Sequence, residues 1–290
     1  MSVAYSDIRI ADGPAGPCHF RSLWACKACH AYWSRLPAST GSTEYYRDKP
    51  ASDHAVLDHN RNRFRRVRRA IDDALGQTRY RLLDVGCAGG AHLDVYGDQV
   101  DKFGVEPSAS AVDLLTRRGV TWLGPSVQAA LGCSFDVVTC LDVLEHLEHP
   151  RPLLDGIDQC LRPGGVVGIV TGDINSVAAR WGGRRWLYYA LPEHCSFYSA
   201  PALDRYWVEE RGYEPLTKTW IANADLDIAY VWEFVTALAR ELAIKTMPRD
   251  RVRALEHAGR GRFPFFCDNM LLIYRKPWQR ITDVVSASGA

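Results

Sequence analysis

The run Leu82-Leu83-Asp84-Val85-Gly86-Cys87-Ala88-Gly89-Gly90 constrains this chain more than any other segment. A short apolar stretch of this kind reads as a buried strand that feeds a glycine turn and then a helix. Glycine is needed where the backbone turns sharply and passes close to a ligand, because a Cβ would intrude. A buried strand ending in such a turn belongs to repeated strand–helix–strand units around a parallel sheet.

The rest of the chain supplies those units. Strands are predicted at 81–85, 100–106, 120–123, 135–141 and 166–171, with helices over 108–118 and 150–161. Gly119 stops the first helix and Pro163-Gly164-Gly165 the second. Two further strands fall near 215–220 and 270–276. Between them Ile228, Val231, Trp232, Val235, Leu238, Ala239 and Leu242 share one face of a long helix. Upstream, Phe64, Val67, Ala70, Ile71 and Leu75 recur at helical spacing, with arginines on the other faces. The expected organisation is an N-terminal segment over 1–40, a helical cap over 41–76, a main domain over 77–278 and a fraying tail over 279–290.

Composition narrows the functional classes. With 35 basic and 34 acidic residues in 290 the net charge is +1, so a nucleic-acid or membrane partner needs a local patch. The arginines of 61–69 offer one, but the apolar residues among them recur at helical spacing. The simpler reading is a solvated helix face. The apolar runs are too short to span a bilayer. Asp7, Arg9, Asp12 and Arg21 interrupt any secretory h-region, so the cytoplasm is the expected address. Nine cysteines without a paired framework then read as reduced thiols.

Glu106 lies 106 − 84 = 22 residues after Asp84, ending the next apolar strand. An acid at that position can accept both ribose hydroxyls of an adenosine-containing cofactor. Together the two segments resemble the class I S-adenosylmethionine-dependent methyltransferases, with Ala88 replacing the usual middle glycine of the first motif. Phe135 to Leu147 resembles that family's fourth strand and following turn, and Leu161-Arg162-Pro163-Gly164-Gly165 resembles the turn before its fifth. The resemblance covers roughly residues 80–172. A dinucleotide dehydrogenase would want G-x-G-x-x-G, which Gly86, Ala88 and Gly89 do not supply.

The resemblance implies a Rossmann-like α/β fold, a seven-stranded mostly parallel sheet with helices on both faces and a helical lid insertion. It implies S-adenosyl-L-methionine as cofactor and S-adenosyl-L-homocysteine as product. Asp84, Gly86, Cys87 and Ala88 would line the methionine end, Glu106 hold the ribose, and Pro107 touch the adenine. Ser126 and Val127, after the third strand, would contact the adenine without the acid common there. Cys140 and Leu141 would sit beside the sulfonium, and Tyr46 of the pair Tyr45-Tyr46 would help close over the cofactor.

Three candidates for catalysis follow from the same resemblance. Glu145 and His146 lie just past the fourth strand, where cyclopropane-forming and some small-molecule N-methyltransferases use such a pair. His194 falls in a segment similar to the family's Pro-x-His-x-x-x-Phe-Ser lid, with Tyr198 for the phenylalanine. Imidazole suits a general base near neutral pH. A packing role for either histidine is the plain alternative.

Trp24 to Trp33, with Cys26 and Cys29, resembles the second half of a zinc ribbon carried by many relatives. Only Cys18 remains of the first half, with His19 or His30 as a conceivable fourth ligand. Structural zinc takes four ligands, so zinc at Cys18, Cys26 and Cys29 is not favoured and a ribbon without metal is expected. The sequence reading is thus a methyltransferase acting on the oxygen or nitrogen of a small natural-product or sugar-like acceptor. Methylation of an RNA base, or cofactor binding without methylation, are the rivals. The oligomeric state, a homodimer among the options, is left open.

Overall fold

A computed structural model describes residues 2–9, 20–34, 55–191, 193–221, 235–236, 239, 242–252 and 268–278. Its centre is a seven-stranded sheet. Five strands run parallel: β4 (Tyr80–Val85), β5 (Val100–Val105), β6 (Thr121–Gly124), β7 (Phe135–Leu141) and β8 (Leu161–Gly172). The last two, β10 (Glu214–Ile221) and β11 (Asn269–Arg275), pair antiparallel beyond β8 and give the order β10-β11-β8-β7-β4-β5-β6. β7 and β11 are buried along nearly their whole length, as central strands covered on both faces must be.

Helices cover both faces. α1 (Ala55–Leu75) buries Phe64, Val67 and Ile71 and shares a core with Val137, Val166 and Leu271. α2 (Ala111–Arg117) follows β5, starting three residues later than the sequence pattern suggests. α3 (Arg151–Cys160) packs Leu154 and Ile157 into the opposite core with Phe135 and Leu203. Burying two apolar side chains of that size stabilises the layer by roughly 1.5–3 kcal/mol each.

The expected turn at 163–165 is instead part of β8. The strand starts at Leu161, opposite Phe135, and shifts register before Val166 meets Val137. Gly164, at φ +75°, allows this bulge, and its N–H donates to the Lys276 carbonyl. The long helix expected over 228–242 lies mostly outside the described residues; residues 242–245 are helical.

A second sheet was not expected. β1 (Ser2–Arg9), β2 (Phe20–Ala25) and β3 (Tyr32–Trp33) form an antiparallel set that continues onto β9 (Ser196–Phe197). β9 belongs to the lid that follows β8. This lid runs through α4 (Val177–Gly182) and α5 (Leu187–Ala190). Ser176 caps α4, its hydroxyl accepting from the Ala179 N–H at 3.1 Å. Leu23 packs with Trp186, Tyr189 and Phe197, so the N-terminal strands and the lid share one apolar core. No helix among the described residues is long and apolar enough to cross a membrane.

Candidate active site

The turn after β4 is built from unusual backbone. Gly86, Ala88 and Gly90 have φ of +73°, +45° and +83°. A Cβ at Gly86 would stand 2.5 Å from Val143 Cγ2. Ala88 tolerates a conformation that L-residues rarely adopt, and strain of this kind concentrates where a ligand is gripped. Asp84 anchors the turn from below. Thr139 donates to its Oδ1 at 2.6 Å, and His92 Nδ1 lies 3.4 Å from its Oδ2. The Tyr96 hydroxyl reaches His92 Nε2 at 3.2 Å, completing a buried chain.

Glu106 follows β5, its carboxylate facing the same turn. Oε2 accepts the Ala88 N–H at 2.9 Å and Oε1 the Ser108 N–H at 3.0 Å. Burial pushes this acid up, against the two N–H bonds. Each oxygen retains acceptor capacity for a further hydrogen. A Cβ at Gly104 would stand 2.5 Å from Cys87 Sγ, so the strand and the turn approach as closely as glycine permits. Pro107 and Ser126 are half-buried. Val127 turns its side chain into the core against Gly156, and Cys140 is fully buried in the same core. Leu141 at the strand's tip is half-buried.

Past β7 the chain enters the left-handed region at Asp142, φ +54°. Arg63 of α1 reaches across to it with two hydrogen bonds of 2.6 Å, and Asn269 Nδ2 donates to the same carboxylate at 3.1 Å. Arg63 is 7% exposed, so the expectation that the arginines of this helix are all solvated fails here. Arg61, Arg65, Arg66 and Arg69 do face solvent. A legible signal existed. Arg63 lies four residues before Val67, on the buried stripe.

Glu145, His146 and His194 converge beside this pair. Glu145 is 1% exposed, and burial raises its acid while His146 opposes the rise. Tyr188 of the lid donates to its Oε1 at 2.6 Å and Thr171 to its Oε2 at 2.9 Å. The His146 and His194 rings stand edge to face, 4.9 Å between centroids. Nδ1 of His146 lies 3.2 Å from the Glu193 carbonyl, and Nδ1 of His194 lies 3.2 Å from the Tyr188 carbonyl. A carbonyl only accepts, so each Nδ1 carries the hydrogen and Nε2 bears the lone pair of the neutral ring. Among the described residues these three form the one group whose ligand atoms lie within 4.8 Å of one another, which would also suit a divalent cation. The sequence singled out all three but missed Arg63, Asp142, Thr171, Tyr188 and Asn269.

Of the remaining expectations, Tyr46 and Cys18 lie outside the described residues. Cys26 and Cys29 are free thiols that share one tight turn and hydrogen-bond each other. Main-chain N–H groups of Ala28 and Cys29 lower the Cys26 thiol, while burial raises that of Cys29.

The site fits S-adenosylmethionine on one observation. Asn60 Oδ1, Arg63 Nε and Asn269 Oδ1 are buried polar atoms without a hydrogen-bond partner, as expected where a charged ligand completes the set.

Residues 59–218 match the model of a methyltransferase domain. A ubiquinone biosynthesis O-methyltransferase of Azoarcus sp. strain BH72 is 27% identical over 186 residues, covering 56% of this chain and 80% of that protein. Its counterpart in Vibrio cholerae serotype O1 is 29% identical over 191 residues, covering 57% and 78%. Among solved structures, the 4+2 cyclase SpnF superposes with a TM-score of 0.50 at 20% identity, covering 84% of this chain and 88% of that one. That likeness speaks for the fold alone. Turn, buried acid after β5 and family match agree: this chain belongs to the class I S-adenosylmethionine-dependent methyltransferases.

Proposed function

We propose that the chain methylates an oxygen on a small acceptor and that Glu145, His146 and His194 manage the acceptor's proton. The observation that carries this reading is the convergence of the three side chains under the lid, beside Arg63 and Asp142. S-adenosylmethionine, when bound, supplies a methyl already activated by a sulfonium. The chain's own residues have only to orient the partners, exclude water and take a proton.

In this reading Gly86, Cys87 and Ala88 line the cofactor's methionine end through main chain, and Asp84 holds their turn. Arg63, with its unpartnered Nε, takes the carboxylate. Glu106 accepts ribose hydroxyls, and Pro107, Ser126 and Val127 border the adenine. Leu141 flanks the sulfonium by its side chain and Cys140 by its main chain. His194 approaches from the lid, the acceptor side, and its Nε2 removes the hydroxyl proton. Glu145 and His146 hold the charge that results. The stack of Trp186 on Tyr188, centroids 4.9 Å apart, stiffens the lid and holds the Tyr188 hydroxyl on Glu145. The two bacterial relatives are named for O-methylation in ubiquinone biosynthesis, which favours oxygen over nitrogen.

The test is formation of S-adenosylhomocysteine over a panel of phenols, catechols and sugar hydroxyls. His194→Ala should lower kcat by about 100-fold with cofactor affinity nearly unchanged, because one general base contributes ~10²–10⁴-fold. His146→Ala should act mainly on KM. Normal turnover in both variants would leave alignment alone as the source of catalysis. Activity lost to a chelator and restored by a divalent cation would assign the same three side chains to a metal.

A further inference from the structure

A cavity of about 440 Å³ opens between the turn after α4 and the helical stretches at 242–245 and 249–252. Among the described residues that line it four are cations, Arg184 and Arg185 on one wall, Lys245 and Arg249 on the other. Ile244 and Met247 give it an apolar side. In a chain of net charge +1 this concentration of positive charge in one concave site is local, not compositional.

Its walls are anchored. The Lys245 ammonium lies 4.5 Å from the Trp181 ring centroid of α4. Arg184 and Arg185 run directly into Trp186, which is fully buried and donates to Asp268 Oδ2 at 2.8 Å. Two residues further, Tyr188 grips Glu145. Tyr188 lies four positions after Arg184, at most about 14 Å of extended chain and less where α5 is helical.

Paired guanidiniums recognise phosphate through planar two-point contacts, and an ammonium opposite adds a point charge. An apolar side accommodates the organic group beside the phosphate. We infer that this cavity binds a phosphate or diphosphate ester. The inference does not rest on the methyl-transfer reading above. A soluble phosphate ester and a lipid-linked one share this chemistry.

The experiment is calorimetric titration of the full-length chain with inorganic pyrophosphate, beside titration with S-adenosylhomocysteine as a check on folding. Pyrophosphate should bind at low salt and weaken as salt rises. The variant Arg184→Gln/Arg185→Gln should weaken it at least about tenfold, the scale of one lost charge-assisted contact. Lys245→Gln/Arg249→Gln, on the other wall, should do the same should the first variant fail to fold. Both should bind S-adenosylhomocysteine as the parent does. A parallel arm measures sedimentation with vesicles of phosphatidylcholine alone or with phosphatidylglycerol. Capture on the anionic vesicles only, lost in the same variants, assigns a lipid-borne phosphate, while a pyrophosphate response without capture assigns a soluble one. Absence of both responses, or responses equal in parent and variants, overturns the inference. Because neither arm requires turnover, failure of methyl transfer with phosphate binding intact would refute the reaction and leave the cavity's ligand standing.

Discussion

Glu106 joins two elements with one carboxylate, accepting from the turn at Ala88 and from the chain entering α2 at Ser108. Replacing it with alanine removes those bonds and the proposed ribose contacts, each charge-assisted bond contributing roughly 1.5–3 kcal/mol. Glu106→Ala should therefore lower S-adenosylhomocysteine affinity at least about tenfold by calorimetry, with the circular dichroism of the fold retained. Tyr188 is the complementary case. Its hydroxyl donates to Glu145 Oε1 and accepts the Gly172 N–H at 2.9 Å, while Glu145 is already raised by burial. Tyr188→Phe removes a donor that favours the carboxylate, so Glu145 should hold its proton to still higher pH. The acidic limb of the kcat profile should move upward in pH; an unmoved limb would separate Glu145 from proton handling. The places of Asp84 and Glu106 beside the turn were legible because they follow from position along consecutive strands. Arg63 was passed over although its spacing from Val67 placed it on the buried stripe, because its partner lies 79 positions away.

The glycine turn and β5 make contact through Gly104 and Cys87, and this contact is open to a direct test. Gly104→Ala places a Cβ 2.5 Å from the Cys87 sulfur, an overlap that must displace the turn. Overpacking of this kind costs typically 1–3 kcal/mol. Melting temperature and cofactor affinity should fall together, and Cys87→Ala in the same chain should restore much of both. A double-mutant cycle with no coupling would mean that the clash is relieved elsewhere. Most elements of the main sheet were readable, since central strands of a parallel sheet are continuous apolar runs. The bulge at 163–165 was misread because Pro-Gly-Gly punctuates turns and bulges alike. The N-terminal sheet was not foreseen at all. Its closing strand, β9, has two residues and is defined only by pairing with β3, a partner that local pattern does not reveal.

For the molecule as a whole, pH stability should carry the mark of Asp268. Burial raises its acid from 3.8 to about 6, against the hydrogen bond from Trp186. A group raised in the folded state contributes stability that is complete below its unfolded pKa and is lost as pH rises through the folded one. The loss should fall between about pH 4 and 6, reaching on the order of 3 kcal/mol when the buried carboxylate is ionised. Asp268→Asn keeps an acceptor for the Trp186 indole without the charge. Its advantage in melting temperature should be small at pH 4 and grow to a plateau above pH 6; a gap independent of pH would contradict this. The sheet shared by the N-terminal strands and the lid has a consequence in time. Trp33 pairs with Ser196, 163 residues later in the sequence. At about 5–20 residues per second, a ribosome holds the first three strands with an unpaired edge for roughly 8–30 s before their partner emerges. Over that interval the nascent chain presents a waiting strand to whatever else is being made nearby, and the lid cannot acquire its final shape until the oldest part of the chain has been kept available for it.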